Sequence, residues 1–103
     1  MKNKQILTII IPVYNEAEFI EEIYSRVIGV TLHPGISKEV IIIDDNSNDG
    51  TNEIISRIAN NETIILKQNK NRGKGACIRL GIEKTYKGDY FFSTMPISIL
   101  IQS

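Results

Sequence analysis

Residues 40–51 read Val-Ile-Ile-Ile-Asp-Asp-Asn-Ser-Asn-Asp-Gly-Thr, and this stretch decides the fold class. Val40–Ile43 is a continuous run of β-branched apolar residues, which is typical of a parallel strand that is covered on both faces. The polar run Asp44–Gly50 cannot continue a core strand, and it is dense in residues that form turns and helix caps. A helix with isoleucines at helical spacing follows at Thr51–Ala59. The stretch therefore predicts a buried strand, a polar loop at its carboxyl end and a helix.

The same strand, loop and helix unit recurs on both sides of this stretch. We predict further strands at Ile6–Ile11, Thr63–Leu66 and Tyr90–Phe92, and further helices over the apolar positions from Phe19 to Ile28 and over Ala76–Tyr86. Pro12 is expected to end the first strand, and Asn15 is expected to cap the first helix. Strict alternation of strands and helices predicts an α/β parallel sheet with flanking helices, with Ile6–Ile11 central and Val40–Ile43 beside it.

Composition excludes several classes of protein. The chain has 103 residues, with 12 Lys and Arg against 12 Asp and Glu, and this zero net charge argues against a nucleic-acid partner. With 42% hydrophobic and 23% charged residues, it fits one small globular unit. Cys77 is the single cysteine, so an intrachain disulfide is excluded and a reducing, cytoplasmic compartment is expected. The apolar tail Phe91–Ile101 is too short to span a bilayer, so we expect membrane association only through other parts of a full-length protein.

Three polar clusters follow predicted strands, and ligands of open α/β sheets bind at the carboxyl ends of strands. The first two clusters are Pro12–Glu16 and Asp44–Gly50. In the second, the adjacent carboxylates of Asp44 and Asp45 repel each other, so they need hydrogen-bond donors, a cation or solvent. An aspartate at such a position can accept a hydrogen bond from a base or a ribose. Taken alone, each cluster also fits a helix cap or a solvated turn.

The third cluster, Asn69–Gly75, is basic and contains two glycines. Glycines let the backbone approach a ligand closely, a helix N-terminus favours anions, and Arg72 and Lys74 add positive charge. A diphosphate is the ligand that these features predict, against the alternative of a solvated basic loop. The spacing of a Walker loop is absent, and so is the Gly-x-Gly-x-x-Gly pattern of nicotinamide-binding folds.

Two functional classes fit these clusters: an enzyme that uses a nucleoside diphosphate, and a non-catalytic module. A signalling receiver also places an acidic pair at a strand end, but it needs a phosphoacceptor aspartate at a later strand end. After Asp49 the only aspartate is Asp89, which precedes a predicted strand, so the receiver is disfavoured. A non-catalytic nucleotide-binding or interaction module remains the alternative.

In their order and spacing, the three clusters resemble the first half of a family 2 glycosyltransferase with the GT-A fold, particularly the polyprenyl (dolichyl) phosphate sugar synthase type. The resemblance lies in Thr8–Glu16, Ile41–Thr51 and Asn69–Gly81, continues through Gly88-Asp89-Tyr90, and covers residues 6–92. It implies a Rossmann-like sheet, a nucleoside diphosphate sugar as donor, and transfer of the sugar to an acceptor, which is a polyprenyl phosphate in that type. It also implies Mg²⁺ or Mn²⁺ in the intact family.

The resemblance further implies a set of binding residues. Pro12, Tyr14, Glu16 and Asp44 would line the base and ribose pocket, with Asp45 and Asn15 as further candidates, and Arg72, Gly73 and Lys74 would lie toward the diphosphate. It assigns no catalytic residue to this chain.

The sequence departs from the family at the metal motif. The family has an Asp-x-Asp-type motif six residues beyond the aspartate that corresponds to Asp89, and this chain has Met95-Pro96-Ile97 there, which cannot bind a metal. No Asp or Glu follows Asp89, and the acceptor-binding half is not visible. We therefore expect the 103 residues alone to transfer no sugar.

The genetic code suggests how the motif was replaced. In the frame that begins at the third base of each codon, Met95-Pro96 must read GCC, which encodes Ala, and the codon on either side must encode Asp, Asn, His or Tyr. We therefore expect residues 1–92 to form the nucleotide-sugar-binding half-domain and residues 93–103 to be a frameshifted tail. The alternative is an unrelated natural C-terminus.

Overall fold

The computed structural model describes residues 5–85 and 89–94. Strands and helices alternate along this part of the chain. The elements are β1 (Gln5–Val13), α1 (Ile20–Gly29), β2 (Ile36–Asp44), α2 (Thr51–Ile58), β3 (Ile64–Lys67), α3 (Lys74–Lys84) and β4 (Tyr90–Ser93).

The four strands form one parallel sheet in the order β3-β2-β1-β4. β1 is therefore an inner strand and β2 pairs beside it, in a register that places Ile9 opposite Val40. The predicted α/β parallel sheet, with Ile6–Ile11 central and Val40–Ile43 adjacent, is confirmed. The carboxyl ends of β1 and β2 end together, since Val13 pairs with Asp44, and this brings the loops that follow them to the same edge.

Helices cover both faces of the sheet because alternate residues of each strand point to opposite sides. On one face α1 and α2 pack on β1 and β2; this core is made of Ile9, Ile11, Val13, Ile20, Ile23, Tyr24, Val27, Val40, Ile42 and Ile55. On the other face α3 packs on Ile10, Ile41 and Ile43 through Cys77. Gly81 permits the close approach of α3, because a Cβ there would lie 3.0 Å from side-chain atoms of Ile10 and Ile43.

The prediction that Pro12 ends β1 is wrong, since the strand continues to Val13. Pro12 lacks an N–H group, but its nitrogen faces away from β2, so the pairing of β1 with β2 continues past it. The carbonyl of Ile10 faces β4 and accepts from Thr94, and that of Val13 faces β2 and accepts from Asp45. The nitrogen of Pro12 therefore faces the β4 side, beyond the four residue pairs that join β1 to β4.

Asn15 does not cap α1, because the helix begins only at Ile20 and its N-cap is Phe19. The backbone N–H groups of Phe19 and Ile20 both donate to the carbonyl of Glu16, at 3.0 and 2.8 Å. This turn separates Asn15 from the helix and leaves its side chain for another use.

Other boundaries differ by a few residues. β2 begins at Ile36 rather than Val40, and α3 spans Lys74–Lys84 rather than Ala76–Tyr86. Tyr86 lies outside the described residues. Ser93, which belongs to the predicted tail, is the last residue of β4, and the tail from Met95 onward lies outside the described residues. No helix within the described ranges has the length and apolarity that a bilayer crossing requires.

Candidate functional site

A cavity of about 230 Å³ lies where β1 and β2 end and α3 begins. Its lining consists of Pro12, Val13, Tyr14, Glu16, Asp45, Lys74 and Cys77. The three polar clusters of the sequence therefore meet at one edge of the sheet. β1 and β2 end there side by side, and the third cluster leads into α3, which packs on one face of these two strands. Five of the nine predicted binding residues line this cavity.

Asp45 fastens the loop of the third cluster, Asn69–Gly75 (the third loop), to the end of β2. Its carboxylate accepts hydrogen bonds from the backbone N–H groups of Arg72 and Gly73, at 2.9 and 2.8 Å. The side chain of Asn71 donates to the Asp45 carbonyl at 3.4 Å. Gly73 has a φ of 95°, a left-handed conformation that glycine adopts without strain. The backbone N–H groups of Arg72 and Gly73 thus bind a carboxylate of the protein itself.

Asp44 lies elsewhere. It is fully buried and does not line the cavity. One carboxylate oxygen accepts from the backbone N–H and the hydroxyl of Ser47, at 3.2 and 2.5 Å, and the other accepts from the side-chain amide of Asn52 at 3.2 Å. Hydrogen-bond donors therefore offset the repulsion between the two adjacent carboxylates, and these donors lie on opposite faces of β2. Ser47 and Asn52 donate to Asp44, whereas Arg72 and Gly73 donate to Asp45.

Asn15 and Arg72 also lie outside the cavity lining. The side-chain oxygen of Asn15 accepts from the backbone N–H of Asn48 at 2.9 Å, and its own N–H donates to the Ser47 hydroxyl at 2.8 Å. The side chain of Arg72 is exposed, and only its backbone reaches Asp45.

The cavity combines an exposed aromatic ring with buried polar groups. Tyr14 is 45% exposed, whereas Glu16 and Asp45 are 6% and 3% exposed. Lys74, the first residue of α3, is exposed and supplies the ammonium group of the lining. The ring of Tyr14 can stack on a flat group, the buried carboxylates can accept hydrogen bonds, and the ammonium group of Lys74 can attract an anion at the mouth of the cavity.

Val13 and Cys77 line the cavity but are not among the predicted binding residues. Of the two, Cys77 carries the reactive group, a thiol. It is 1% exposed and belongs to the core on the α3 face. Burial, followed by the negative charge of Asp45, raises the pKa of the Cys77 thiol to about 11. Its spacing of three residues from Lys74 places both on one face of α3, and that spacing is the signal that could have identified it.

No group of three or more His, Cys, Asp or Glu side chains that could hold a metal ion occurs within residues 5–85 and 89–94. The positions where the family's metal motif is expected, Met95 and Ile97, lie outside the described residues.

Comparison with known proteins gives a consistent result. The model of the family "Glycosyl transferase family 2" matches residues 8–93. The chain is 38% identical over 79 residues to a poly-β-1,6-N-acetyl-D-glucosamine synthase of Staphylococcus aureus, covering 76% of this chain and 18% of that protein. It is 35% identical over 88 residues to an undecaprenyl-phosphate 4-deoxy-4-formamido-L-arabinose transferase of Aeromonas hydrophila, covering 82% of this chain and 27% of that protein.

Two solved structures share the fold. A mannosyltransferase, PcManGT from Pyrobaculum calidifontis in complex with GDP-Man and Mn²⁺, superposes with a TM-score of 0.68 at 24% identity, over 82% of this chain and 25% of that one. TarS residues 1–349 from S. aureus superposes with a TM-score of 0.70 at 22% identity, over 85% and 26% of the two chains. The chain thus spans about a quarter or less of the length of these relatives.

Proposed function

The chain belongs to glycosyl transferase family 2, and we propose that it forms the donor-nucleotide half of an enzyme that moves a sugar from a nucleoside diphosphate to an acceptor. Its parallel sheet with flanking helices is the Rossmann-like part of the GT-A fold. The observation that carries the proposal is the cavity at the carboxyl ends of β1 and β2, which holds the buried carboxylate of Asp45 beside Tyr14 and Lys74.

We propose that Asp45 recognises the base. A carboxylate only accepts hydrogen bonds, and each of its oxygens has lone pairs beyond those that bind Arg72 and Gly73. At the ring nitrogen of the pairing edge, uracil and guanine carry an N–H donor, whereas cytosine and adenine carry a lone pair that would face the carboxylate and have only their exocyclic amino group to donate. The site therefore favours uridine or guanosine diphosphates, and the GDP-Man bound to the Pyrobaculum mannosyltransferase supports this choice.

The other cavity residues divide the remaining nucleotide between them. Tyr14 is exposed enough to stack on the base, while Pro12 and Glu16 bound the same space and face the base and ribose. Lys74 stands at the start of α3 and attracts the diphosphate. Arg72 lies two residues before Lys74, and its exposed side chain can reach the same anion.

A divalent metal, Mg²⁺ or Mn²⁺, belongs to the intact family, and the Mn²⁺ in the Pyrobaculum complex supports this. Such an ion neutralises the departing diphosphate. The described residues of this chain do not bring together a set of side chains that fits a metal. We therefore propose that the 103 residues by themselves bind the donor nucleotide and transfer no sugar.

For the acceptor we propose a lipid phosphate. The A. hydrophila relative, whose name specifies undecaprenyl phosphate, supports this class. Such an acceptor lies in a membrane, so the full-length protein would work at the cytoplasmic membrane surface, where nucleotide sugars are available.

Calorimetric titration with UDP, GDP, CDP and ADP tests the nucleotide site. We expect UDP or GDP to bind roughly 10- to 100-fold more tightly than CDP and ADP, since each mismatch at Asp45 loses one charge-assisted hydrogen bond. Glu83→Gln, which removes an exposed carboxylate from α3 outside the cavity, serves as the control and should leave this preference unchanged. Equal binding of all four nucleotides, or none at millimolar concentration, would contradict the proposal.

We also propose that residues 93–103 are translated out of the ancestral frame. The forced GCC codon across Met95-Pro96 supports this, because it gives the Ala of Asp-Ala-Asp at the family's metal motif. Sequencing the gene across codons 88–110 is the test. Asp codons on both sides of that GCC in the shifted frame would support the proposal. A shifted frame that lacks Asp-x-Asp and runs straight into a stop codon would refute it.

A further inference from the structure

The loops that follow β1 and β2 are joined by hydrogen bonds that cross between them. The backbone N–H of Asn15 donates to the hydroxyl of Ser47 at 2.8 Å, and the backbone N–H of Asn48 donates to the side-chain oxygen of Asn15 at 2.9 Å. A third bond runs from the N–H of Glu16 to the hydroxyl of Thr51 at 2.9 Å. Residues 32 to 35 positions apart in the chain are thus fixed to each other beside the cavity.

Asn15 needs this support because of its backbone conformation. Its φ is 52°, in the left-handed region that few residues other than glycine adopt, and asparagine tolerates it best. A residue in this region keeps its conformation when surrounding contacts determine it. The conformation turns the chain between Tyr14 and Glu16, both of which line the cavity. The shape of the cavity wall therefore depends on the bonds that hold Asn15.

Asp44 orients the Ser47 hydroxyl that accepts the first of these bonds. A serine hydroxyl has one proton to donate and two lone pairs that accept. The hydroxyl of Ser47 lies 2.5 Å from a carboxylate oxygen of Asp44, which can only accept, so the proton must point there. The lone pairs then remain available for the N–H of Asn15. Since Asp44 is fully buried and the Ser47 backbone also donates to it, this orientation is fixed in the folded chain.

We propose that Asp44 is a positioning residue, which acts through Ser47 to hold Asn15 and thereby sets Tyr14 and Glu16 against the nucleotide cavity. This inference rests on the proposed nucleotide-binding function. It replaces the expectation that Asp44 and Asn15 touch the nucleotide themselves: Asp45 discriminates between bases, and Asp44 determines how tightly any nucleotide is held.

The test compares Ser47→Ala and Asp44→Asn with Ser56→Ala, a control on the exposed surface of α2. In calorimetric titrations, both test variants should weaken UDP and GDP binding by the same factor, about 5- to 30-fold, which corresponds to one or two lost hydrogen bonds. The ratio of the two affinities should stay at the wild-type value. Ser47→Ala decides the matter if Asp44→Asn does not fold.

Amide hydrogen exchange, followed by NMR, supplies a readout that needs no nucleotide. The N–H groups of Asn15 and Asn48 should exchange faster in Ser47→Ala, while those of Ile10 and Ile42 in the sheet should not change. A Ser47→Ala variant with wild-type affinity and wild-type exchange at Asn15 would overturn the inference, and so would a changed UDP to GDP ratio in Asp44→Asn. If the wild-type chain binds neither nucleotide, the proposed function fails, and the exchange rates alone decide the positioning role.

Discussion

Replacing Asp45 with Asn tests the centre of the site, because the change keeps the shape of the side chain and removes its charge. In the wild type, each oxygen of the carboxylate accepts one backbone N–H, from Arg72 at 2.9 Å and from Gly73 at 2.8 Å. An asparagine can present its oxygen to only one of them. Its NH₂ group then faces the other N–H, donor against donor, at a residue that is 3% exposed.

The expected loss of stability follows from these two bonds. A hydrogen bond to a charged group contributes about 1.5–3 kcal/mol, and the variant loses one such bond and weakens the other. Water can reach Arg72, which is exposed, so part of the loss is recovered. We expect the free energy of unfolding to fall by about 2–3 kcal/mol. For a domain of this size that corresponds to a drop in Tm of roughly 8–24 °C.

Urea denaturation, followed by circular dichroism, measures this loss. Glu83→Gln is the matched control, since it makes the same chemical change at an exposed position of α3, and it should stay within about 0.5 kcal/mol of wild type. A second readout is the thiol of Cys77, whose pKa the charge of Asp45 helps to raise, so the thiol should ionise at lower pH in Asp45→Asn. If Asp45→Asn is as stable as Glu83→Gln, Asp45 does not fasten the third loop, and our account of the site is wrong.

Three further predictions concern other parts of the molecule. Lys38→Met should lower the free energy of unfolding in urea by about 1.5–3 kcal/mol, because the Lys38 ammonium donates to three carbonyl oxygens at and just beyond the carboxyl end of α1; an unchanged midpoint would contradict this. Burial tends to raise the pKa of Asp49, but hydrogen bonds from Thr51 and Ala17 outweigh it and lower the pKa below its ordinary value. Asp49 therefore stabilises the fold at neutral pH, and this contribution is lost as pH falls through the folded pKa. Asp49→Asn should be less stable than wild type at pH 7, by less than about 1 kcal/mol because the group is exposed, and the difference should shrink as the pH falls through the folded pKa of Asp49; a difference that keeps its size in acid counts against it. Cys77, with its pKa of about 11 against an ordinary 9.0, should react with iodoacetamide at pH 8 roughly 100-fold more slowly than a free cysteine; a free-cysteine rate would show that the thiol is not buried.

The fold could be predicted from the sequence because its signals are strong and local. Runs rich in β-branched residues at Ile6–Ile11 and Val40–Ile43 require cover on both faces, and the helical patterns between and after them provide that cover. The boundaries were less accurate where the signal is weak. β2 extends back to Ile36 through Ser37, Lys38 and Glu39, which are partly buried and polar and so do not read as a core strand. The prediction that Pro12 ends β1 is wrong because the effect of a missing N–H group depends on which neighbouring strand it faces. That is a property of the assembled sheet, in which β4 pairs with β1 only as far as Ile10.

The cross-loop bonds of the site were beyond prediction from the sequence. Ser47 accepts from Asn15, and Asp45 accepts from Arg72 and Gly73, so each bond joins residues 27 to 32 positions apart. Nothing local distinguishes an asparagine that caps a helix from one that bridges two loops. Only the paired ends of β1 and β2 decide which polar groups come within reach of each other.

The roles of Asp44 and Asp45, in contrast, can be derived from the period of the strand. Ile41 and Ile43 belong to the core under α3, whereas Val40 and Ile42 belong to the core under α1 and α2. Continuing the alternation by two residues sends Asp44 to the α2 face and Asp45 to the α3 face. The third cluster opens α3, so only Asp45 can meet it, and the α2 face contains Ser47 and Asn52. Two adjacent carboxylates at a strand end therefore point to opposite faces, and the one that shares its face with α3, Asp45, lines the cavity that we propose as the nucleotide site.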